Sequence, residues 1–398
     1  MGQDVRVAGV GMVPFSKPSA GERYEDMAAG AVRAALTDSG VALEAVQIAF
    51  GSYVYGDSTC AQAALYNVGM TGLPVINVNN NCSSGSSGLY LAKQAVASGQ
   101  VDVALAFGFE QMQRGALAEQ WQDRLSPLAS YLDRAKVLQG EAPAGTPMAA
   151  VLFGGAGQAH MDKFGTSQEA FARISVKARA HAANNPYAVF RDPITVEEVL
   201  ASPAIFGPLT RLQCCPPTSG GAAVILVSEE YAKKMGLHNA SVRIAGQAMT
   251  TDKPSTWTGD MRQVVGYDLT ADAAGQAYTQ AGIAPEDIKV VELHDCFTTN
   301  ELITYEGLGL TPEGTAEKFI MDGDNTYGGR VVTNPSGGLL SKGHPLGATG
   351  LAQCAELTWQ LRGQAGARQV DGATLAVQHN LGLGSACVVT VYEKVDRP

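Results

Sequence analysis

The sequence is poor in the features that mark secreted, metal-binding, membrane and nucleic-acid-binding proteins. Its 398 residues include only seven cysteines, none in a Cys-x-x-Cys pair, so neither a disulfide framework nor a metal site is expected. No run approaches the ~20 apolar residues of a membrane helix, and the N-terminus lacks a secretory signal. The net charge of −10 disfavours a nucleic-acid surface. We therefore expect a soluble, cytoplasmic protein without nucleic-acid or membrane partners.

Short runs of β-branched residues alternate with alanine-rich stretches of helical character. The runs within residues 5–108 include VRVAGVGM, VQIAFG, LPVINVN and VDVALAFG. Continuously apolar strands are typical of sheets that helices cover on both faces. The pattern predicts an α/β fold with a buried, largely parallel sheet, and the chain length predicts more than one domain.

Four segments of the first half return in the same order in the second half. Each match is weak alone, but their common order indicates an internal duplication. The matches pair VRVAGVGM at 5–12 with VRIAGQAM at 242–249, SGVALEAVQIAF at 39–50 with AGIAPEDIKVVE at 281–292, CSSGSSGL at 82–89 with HPLGATGL at 344–351, and GGAAVILVSEE at 220–230 with GSACVVTVYEK at 384–394.

The two halves differ by an insertion in the first. The separation between matched positions falls from 262 residues at the third match to 164 at the fourth, so the first half carries 98 extra residues. We place most of them at 116–205, as an inserted loop domain that forms a lid or grips a ligand. The first half then comprises 1–115 and 206–238, and the second half comprises 239–398.

The stretch VNNNCSSGSSGLYLAKQ places Cys82 between a strand that ends at Val78 and a helix that runs to about Ser98. Unpaired amides at a helix start favour a thiolate. A packing cysteine would normally have apolar neighbours, whereas Cys82 lies among asparagine, serine and glycine. These surroundings favour a nucleophile over an inert core residue.

His344 occupies the equivalent junction of the second half, in NPSGGLLSKGHPLGATG, before a helix over 351–362. Because the halves are duplicated, we expect Cys82 and His344 to meet near a pseudo-two-fold axis. The imidazole could hold a thiolate as an ion pair or donate a hydrogen bond to an oxyanion. The alternative is a histidine that only caps a turn.

A third junction, VVELHDCFTTNEL at 290–302, ends a strand with His294 and Cys296. Side chains two residues apart at a strand end point the same way, so both could reach one cleft. A thiol whose pKa is about 8 exchanges protons near neutral pH, which suits Cys296 to acid–base work. The alternative for this pair is core packing.

The stretch VQHNLGLGSA at 377–386 forms a glycine-bearing turn after a strand. Backbone amides at Gly382 and Gly384 could complete an oxyanion hole. Asn380 belongs to the same loop and could support it. His379 could serve the site or only form the turn.

The other five cysteines carry no motif. Cys60, Cys354 and Cys387 lie in helical or strand patterns and are expected to pack in the core. Cys214 and Cys215 precede two prolines and are expected to shape a turn.

Together, the motifs NNNCSSGSSG, HDCFTTNEL, NPSGGLLSKGHPLGATGLAQCAEL and QHNLGLG resemble the thiolase superfamily. More narrowly, they resemble the sterol-carrier-protein type of 3-oxoacyl-CoA thiolase, and the resemblance spans nearly the whole chain. It implies a duplicated, five-layered αβαβα fold with an inserted loop domain. It also implies acyl-CoA substrates, coenzyme A as co-substrate without a tightly bound cofactor, and a homodimer or homotetramer.

The resemblance implies roles for the residues above. Cys82 matches the acyl-accepting nucleophile, His344 the histidine that activates it, and Cys296 the acid–base cysteine. His294 stands where most thiolases have an asparagine that holds a catalytic water. Where most thiolases carry Cys-x-Gly, this chain has Gln-His-Asn at 378–380, which is typical of the sterol-carrier-protein branch and leaves the missing thiol's work to Cys296.

The implied reaction is cleavage of a 3-oxoacyl-CoA by coenzyme A through an acyl-cysteine. Its products are a shortened acyl-CoA and acetyl-CoA or propionyl-CoA, in lipid or sterol side-chain degradation. Two alternatives stay open. One is a thiolase-fold condensing or aldolase-like enzyme, and the other is a catalytically silent lipid-binding or scaffold protein.

Overall fold

The computed structural model describes residues 3–115, 117 and 119–397. The strands are β1 (Val5–Met12), β2 (Ile48–Ser52), β3 (Val75–Val78), β4 (Val103–Glu110), β5 (Ala204–Phe206), β6 (Leu209–Thr210), β7 (Gly220–Ser228), β8 (Val242–Thr250), β9 (Val290–Glu292), β10 (Val332–Thr333), β11 (Leu375–Gly382) and β12 (Ala386–Lys394).

The α-helices are α1 (Tyr24–Ser39), α2 (Cys60–Tyr66), α3 (Ser84–Ala97), α4 (Ala129–Gln139), α5 (Met148–Phe164), α6 (Gln168–Ala182), α7 (Val196–Ala201), α8 (Glu229–Met235), α9 (Pro254–Thr258), α10 (Met261–Val264), α11 (Tyr267–Ala281), α12 (Thr298–Gly307), α13 (Ala316–Met321) and α14 (Thr349–Arg362). Short 3-10 turns and one π-helical turn, Gly338–Lys342, complete the described secondary structure. Among the described residues, no helix is both long and apolar enough to cross a membrane.

Ten strands form one sheet within the described part of the chain, in the order β3-β2-β4-β7-β1-β8-β12-β11-β9-β10. In each half, three neighbouring strands are parallel, and the strand beside them reverses direction. The sheet is therefore mixed, and the expectation of a largely parallel sheet was wrong. Burial on both faces makes a strand continuously apolar whatever its direction, so the apolar runs do not report strand direction.

The duplication seen in the sequence is present in the sheet. β1 and β8 pair with each other at the centre, β7 and β12 flank them, and β4, β2 and β3 correspond to β11, β9 and β10. Each of the four sequence matches covers equivalent elements of the two halves. The internal repeat is therefore confirmed at the level of sheet order.

The helices form three layers around the two half-sheets. α1 packs on β1, β4 and β7, and α11 packs on β8 and β12, so these helices lie outside. α3 and α14 contact each other and strands of both halves, so they lie between the half-sheets. The resulting order is αβαβα, as the resemblance to thiolases implied.

Small residues allow the two central helices to approach closely at their N-terminal ends. A Cβ added at Gly350 would lie 2.1 Å from the Ser86 hydroxyl oxygen, and one added at Gly85 would lie 2.7 Å from the Gly347 carbonyl oxygen. Side chains at either glycine would separate the helices. This close approach brings the two equivalent strand-to-helix junctions to one place.

The segment between β4 and β7 carries α4 to α7 and a separate two-stranded sheet, β5–β6. Its helices α5 and α6 pack against α12, which follows the third junction. The division of the chain at 116–205 stays a prediction. Residues 116 and 118, at the start of the predicted insertion, lie outside the described residues.

Candidate active site

The three predicted junctions open onto one cavity of about 430 Å³. Cys82, His294, Cys296 and His344 all line it, together with apolar side chains from the segment that follows β4. The described lining residues are Cys82, Met112, Gly115, Leu117, Pro147, Met148, Ala149, Ala150, Phe153, Ile205, Arg211, Cys214, Cys215, Pro216, Pro217, His294, Cys296, Phe297, His344, Leu346 and Leu383.

Cys82 lies two residues before α3, in a turn shaped by asparagines. Its backbone is preceded by Asn81, whose φ of +52° is in the left-handed region that asparagine tolerates. Burial, followed by the nearby carboxyl of Glu110, raises the pKa of the Cys82 thiol to about 12, whereas the amides of Cys82 and Leu383 act in the opposite direction. The resting residue is therefore a thiol, because burial outweighs the helix start that the sequence suggested would favour a thiolate.

The protonation of His344 follows from its neighbour Thr349. The Thr349 hydroxyl donates its single proton to the Pro345 carbonyl oxygen (2.9 Å), so it accepts from Nδ1–H of His344 (2.7 Å). Nε2 then carries a lone pair, and it is buried without a hydrogen-bond partner among the described residues. Burial, then Lys342, lowers the pKa of His344 to about 3. A neutral imidazole with a free lone pair can accept a proton from Cys82, whereas the ion-pair interpretation is not favoured.

His294 lies against His344 at the end of the third junction. The two ring centroids are 5.1 Å apart, and the planes meet at 83°. One ligand atom each from Cys82, His294 and His344 lies within 4.8 Å of the other two. The Asn300 side-chain amide donates to the His294 carbonyl oxygen (2.5 Å), which anchors this loop to the first turn of α12.

Cys296 is buried beside the nucleophile. Burial, then Cys215 and Cys82, raises its pKa well above that of an ordinary thiol, so it too is protonated at rest. Its backbone carbonyl accepts a hydrogen bond from the Cys215 amide (2.9 Å). A protonated thiol in the same cavity is placed to donate a proton to an intermediate formed on Cys82.

The loop after β11 reaches the cavity through a different residue from the two glycines that the sequence suggested. Gly382 and Gly384 face a separate small cleft beside Tyr131 and Asp252, not the cavity of the four residues above. Leu383, which lies between them, lines the cavity that contains Cys82, and its amide acts to lower the pKa of the Cys82 thiol. β11 ends at Gly382 and Gly384 has a φ of +83°, which turns the chain away after one residue.

His379 and Asn380 lie one layer behind the cavity. The His294 amide donates to Nδ1 of His379 (3.3 Å), so the other ring nitrogen, Nε2–H, donates to the Thr270 hydroxyl (3.0 Å). Asn380 contacts Nδ1 of His294 at 3.0 Å. Both residues support His294 from behind, and neither lines the cavity.

The sequence missed two thiols in the cavity wall. Cys214 and Cys215 were assigned to a turn, but both line the cavity. Isolated bridges pair Cys214 with Phe297 and Pro217 with His344, and they draw this segment across the other junctions. The sequence carried no signal for this, because the pairing joins segments that are ~80–130 residues apart. The three cysteines that were expected to pack in the core, Cys60, Cys354 and Cys387, are buried.

The sequence also missed Glu110, which ends β4. Its carboxylate accepts hydrogen bonds from the amides of Val54 (3.1 Å), Tyr55 (2.9 Å) and Gly347 (3.0 Å). It thereby ties the loop after His344 to the first half. Burial raises its pKa to about 7, with these three amides acting in the opposite direction.

Comparison with known proteins identifies the family. The chain matches the Thiolase, N-terminal domain model over residues 5–230 and the Thiolase C-terminal domain-like model over 252–394. Sterol carrier protein 2 of Oryctolagus cuniculus is 51% identical over 393 residues, which cover 98% of this chain and 72% of the relative. Acetyl-CoA acetyltransferase of Methanothermobacter thermautotrophicus is 34% identical over 403 residues, which cover 98% and 100%.

A solved structure named Ltp2-ChsH2(DUF35) aldolase superposes with a TM-score of 0.83 at 26% identity, covering 98% of each chain. The family and the α/β thiolase fold that the motifs predicted are therefore confirmed. The chain belongs to the thiolase family of acyltransferases, in its sterol-carrier-protein branch.

Proposed function

We propose that the protein is a 3-oxoacyl-CoA thiolase that cleaves its substrate with coenzyme A through an acyl group on Cys82. The observation that carries this proposal is the meeting of three side chains in one largely apolar cavity. They are a buried thiol, Cys82, a neutral imidazole with a free lone pair, His344, and a second protonated thiol, Cys296. This is the set of groups that nucleophilic catalysis with a separate acid requires.

The first half-reaction forms the acyl-enzyme. The Cys82 sulfur attacks the 3-keto carbon while its proton passes to Nε2 of His344. The oxygen becomes an oxyanion, which Nε2–H of His344 then stabilises, and His294 supplies a second donor. Preorganised donors of this kind are typically worth ~3–4 kcal/mol each. As the carbon–carbon bond breaks, Cys296 protonates the departing carbanion of acetyl-CoA or propionyl-CoA.

The second half-reaction restores the enzyme. The thiol of incoming coenzyme A gives its proton to the Cys296 thiolate and attacks the acyl carbon on Cys82. The Cys82 sulfur leaves and recovers its proton from His344. The net products are a shortened acyl-CoA and acetyl-CoA or propionyl-CoA, and each thiol ends in its starting state.

The cavity wall supports an acyl-CoA as the ligand. Met148, Phe153 and Ile205, from the segment after β4, give it an apolar surface that suits an acyl chain. Arg211 is the one basic side chain besides the histidines among its described lining residues, and it suits the anionic part of coenzyme A. We propose that the segment 116–205 grips this ligand, and that the reaction serves lipid or sterol side-chain degradation.

An aldolase-like reaction is the second candidate, because the similar structure with a TM-score of 0.83 is named an aldolase. An aldolase needs no acyl-cysteine, so the presence of both Cys82 and Cys296 favours thiolysis. A silent scaffold would need neither residue. The three functions differ in their dependence on coenzyme A.

The test is a cleavage assay with straight, 2-methyl-branched and steroid-side-chain 3-oxoacyl-CoAs, with and without free coenzyme A. Thiolysis predicts that a shortened acyl-CoA forms only when coenzyme A is present. Retro-aldol cleavage of 3-hydroxyacyl-CoAs without coenzyme A would support the aldolase. No turnover of any substrate in the panel would contradict both enzymes and favour the scaffold.

We also propose that the protein forms a homodimer or homotetramer through the edge of its sheet. β3 is an edge strand, and Ile76 on it is 43% exposed. Exposed Tyr66, Met70 and Leu91 lie on or next to α2 and α3, the helices that contact β3. An apolar, unpaired edge favours pairing with a second copy. Ile76→Lys should therefore lower the mass measured by light scattering.

A cytoplasmic location remains a proposal. The support for it is that all seven cysteines are free thiols in the structure, which fits a reducing compartment. Fractionation of cells that produce the untagged protein would test it.

A further inference from the structure

Four buried polar side chains lie behind His294 without a part in the proposed reaction steps. They are Ser86 on α3, Gln378 and Asn380 on β11, and Tyr392 on β12, and each is fully buried. Buried polar groups are normally hydrogen-bonded, and the direction of each bond can be worked out where one partner can only accept or only donate.

The orientation of the Gln378 amide is fixed by a backbone carbonyl. Its Nε2 lies 2.7 Å from the Gly350 carbonyl oxygen, which can only accept a hydrogen bond. Its Oε1 accepts from the Tyr392 hydroxyl. Nε2 therefore has one further hydrogen, which it donates to the Ser86 hydroxyl oxygen at 2.8 Å, because the other acceptor, Oε1 of Gln353, is 3.4 Å away.

The Ser86 hydroxyl accepts from Gln378 and has one proton to give. It lies 2.9 Å from Oδ1 of Asn380, so it donates there. This orients the Asn380 amide with Nδ2 toward Nδ1 of His294, 3.0 Å away. An amide nitrogen can only donate, so Nδ1 of His294 must carry the lone pair.

We propose that Tyr392, Gln378, Ser86 and Asn380 form a hydrogen-bond chain of fixed direction that holds neutral His294 with its proton on Nε2, which makes this imidazole a hydrogen-bond donor to the cavity. The four are positioning residues that act through His294. His344 is held in the opposite state, with its lone pair on Nε2.

The opposite protonation of the two imidazoles gives them different roles in the reaction, and this interpretation rests on the proposed function. His344 accepts the proton of Cys82, while His294 already offers N–H to the oxygen that becomes negative. The Asn380 amide fixes which nitrogen of His294 carries that proton, because it can only donate to Nδ1. Ser86 comes from the first half and the other three residues from the second, so the hydrogen-bond chain also spans the duplication.

The direct test is nitrogen-15 NMR of protein labelled on its six histidines, with His294→Gln used to assign the His294 signals. The expected result for the unmodified enzyme is a neutral His294 with the proton on Nε2 and an unprotonated Nδ1. A proton on Nδ1 of neutral His294 would overturn the proposal. This readout needs no substrate, so it is independent of whether the enzyme is a thiolase.

Asn380→Asp tests the consequence. A carboxylate in place of the amide can only accept, so neutral His294 should move its proton to Nδ1 and lose the donor on Nε2 at pH 8. Losing one oxyanion donor should slow acylation of Cys82 by about 100-fold, with the KM for coenzyme A unchanged. Ser86→Ala should free the Asn380 amide to rotate and slow acylation by about tenfold. If the His294 proton moves to Nδ1 in Asn380→Asp and Cys82 is still acylated at the normal rate, the proposal would also be overturned.

Asn325→Asp is the matched control. Asn325 is a buried asparagine outside the cavity, and its amide donates to Tyr305. It should lower the melting temperature as Asn380→Asp does while leaving the His294 signals unchanged. An equal change of the His294 signals in both variants would show that any buried charge shifts the His294 proton. The hydrogen-bond chain would then not be its cause, and the proposal would be overturned.

Cobalt binding gives a second readout that does not depend on activity. Cys82, His294 and His344 each place a ligand atom within 4.8 Å of the others, but a metal needs an unprotonated nitrogen. With its proton on Nε2, His294 cannot be the third ligand in the unmodified enzyme. Asn380→Asp should therefore gain the absorption bands of a cobalt–thiolate centre at Co²⁺ concentrations that leave the unmodified enzyme colourless. The same bands in both proteins would contradict the proposed hydrogen-bond chain.

Discussion

Replacing Cys296 by alanine separates the two half-reactions that we propose. Cys296 is 5% exposed and lines the same cavity as Cys82. It is the group proposed to protonate the departing carbanion and then to take the proton of coenzyme A. General acid–base catalysis contributes about 10²–10⁴-fold to a rate, which corresponds to ~3–5 kcal/mol of barrier. Cys296→Ala should lower steady-state turnover by that factor, while the alkylation of Cys82 by iodoacetamide stays close to normal.

Two measurements check this prediction. Steady-state thiolysis measures turnover, and intact mass measures the acyl group left on the enzyme after a simple acyl-CoA is added as donor. This donor needs no protonated carbanion, so acylation should remain detectable. Cys354→Ala is the matched control, since it removes a buried thiol from the core away from the cavity. Normal turnover in Cys296→Ala would refute the reasoning and would move the acid–base role to Cys215, a half-buried thiol in the same cavity wall.

Three further predictions concern the residues around the site. Burial raises the pKa of Glu110 to about 7, from 4.5 in the unfolded chain, so the folded state binds this proton more tightly. The bound proton therefore stabilises the fold fully below pH 4.5, and this stabilisation is lost as the pH rises to about 7. Glu110→Gln should remove up to ~3 kcal/mol of this pH dependence in urea unfolding; parallel curves for both proteins between pH 5 and 8 would contradict it. Thr349→Val should slow acylation of Cys82 by about 10–100-fold, because Nδ1–H of His344 is left buried without an acceptor; stopped-flow acylation at the normal rate would show that Thr349 does not orient His344. Gly350→Ala should lower the unfolding free energy by ~1–3 kcal/mol, because the new Cβ would lie 2.1 Å from the Ser86 hydroxyl oxygen; an unchanged melting temperature would mean that α3 and α14 can separate at no cost.

The sequence predicted the duplicated core because a repeat leaves direct traces in residue order. The equivalence of Cys82 and His344 came from aligning the two junctions, and the duplication predicted that the two residues meet. The structure adds how closely α3 and α14 approach each other, because Gly350 leaves less room than a methyl group needs. Local pattern and duplication were therefore sufficient to predict that these two junctions lie together.

Features that depend on long-range packing were not predictable. The apolar runs gave strand positions but not strand directions, because burial on both faces produces the same pattern either way. Cys215 reaches the cavity through a backbone pairing with Cys296, which no local signal announces. In the loop after β11, the amide that lowers the pKa of the Cys82 thiol belongs to Leu383 rather than to a glycine, because backbone amides carry no side-chain signature.

The protonation of the two histidines was also beyond the sequence. It is set by neighbours such as Thr349 and Asn380, whose contacts exist only in the folded chain. Burial reverses the expected state of Cys82 as well, since a helix start alone would favour the thiolate. The side chains that meet in the cavity could be predicted from the sequence, but their resting protonation states could not.

The central claim is that the sulfur of Cys82 carries the acyl group between the two half-reactions. The most direct measurement is mass spectrometry of the enzyme quenched during turnover of a 3-oxoacyl-CoA, followed by peptide mapping. The account predicts one acyl group per chain, located on the peptide that contains Cys82 and absent from Cys82→Ser. Turnover by wild-type enzyme with an acyl group on another residue, or with no acyl group on any residue, would contradict it.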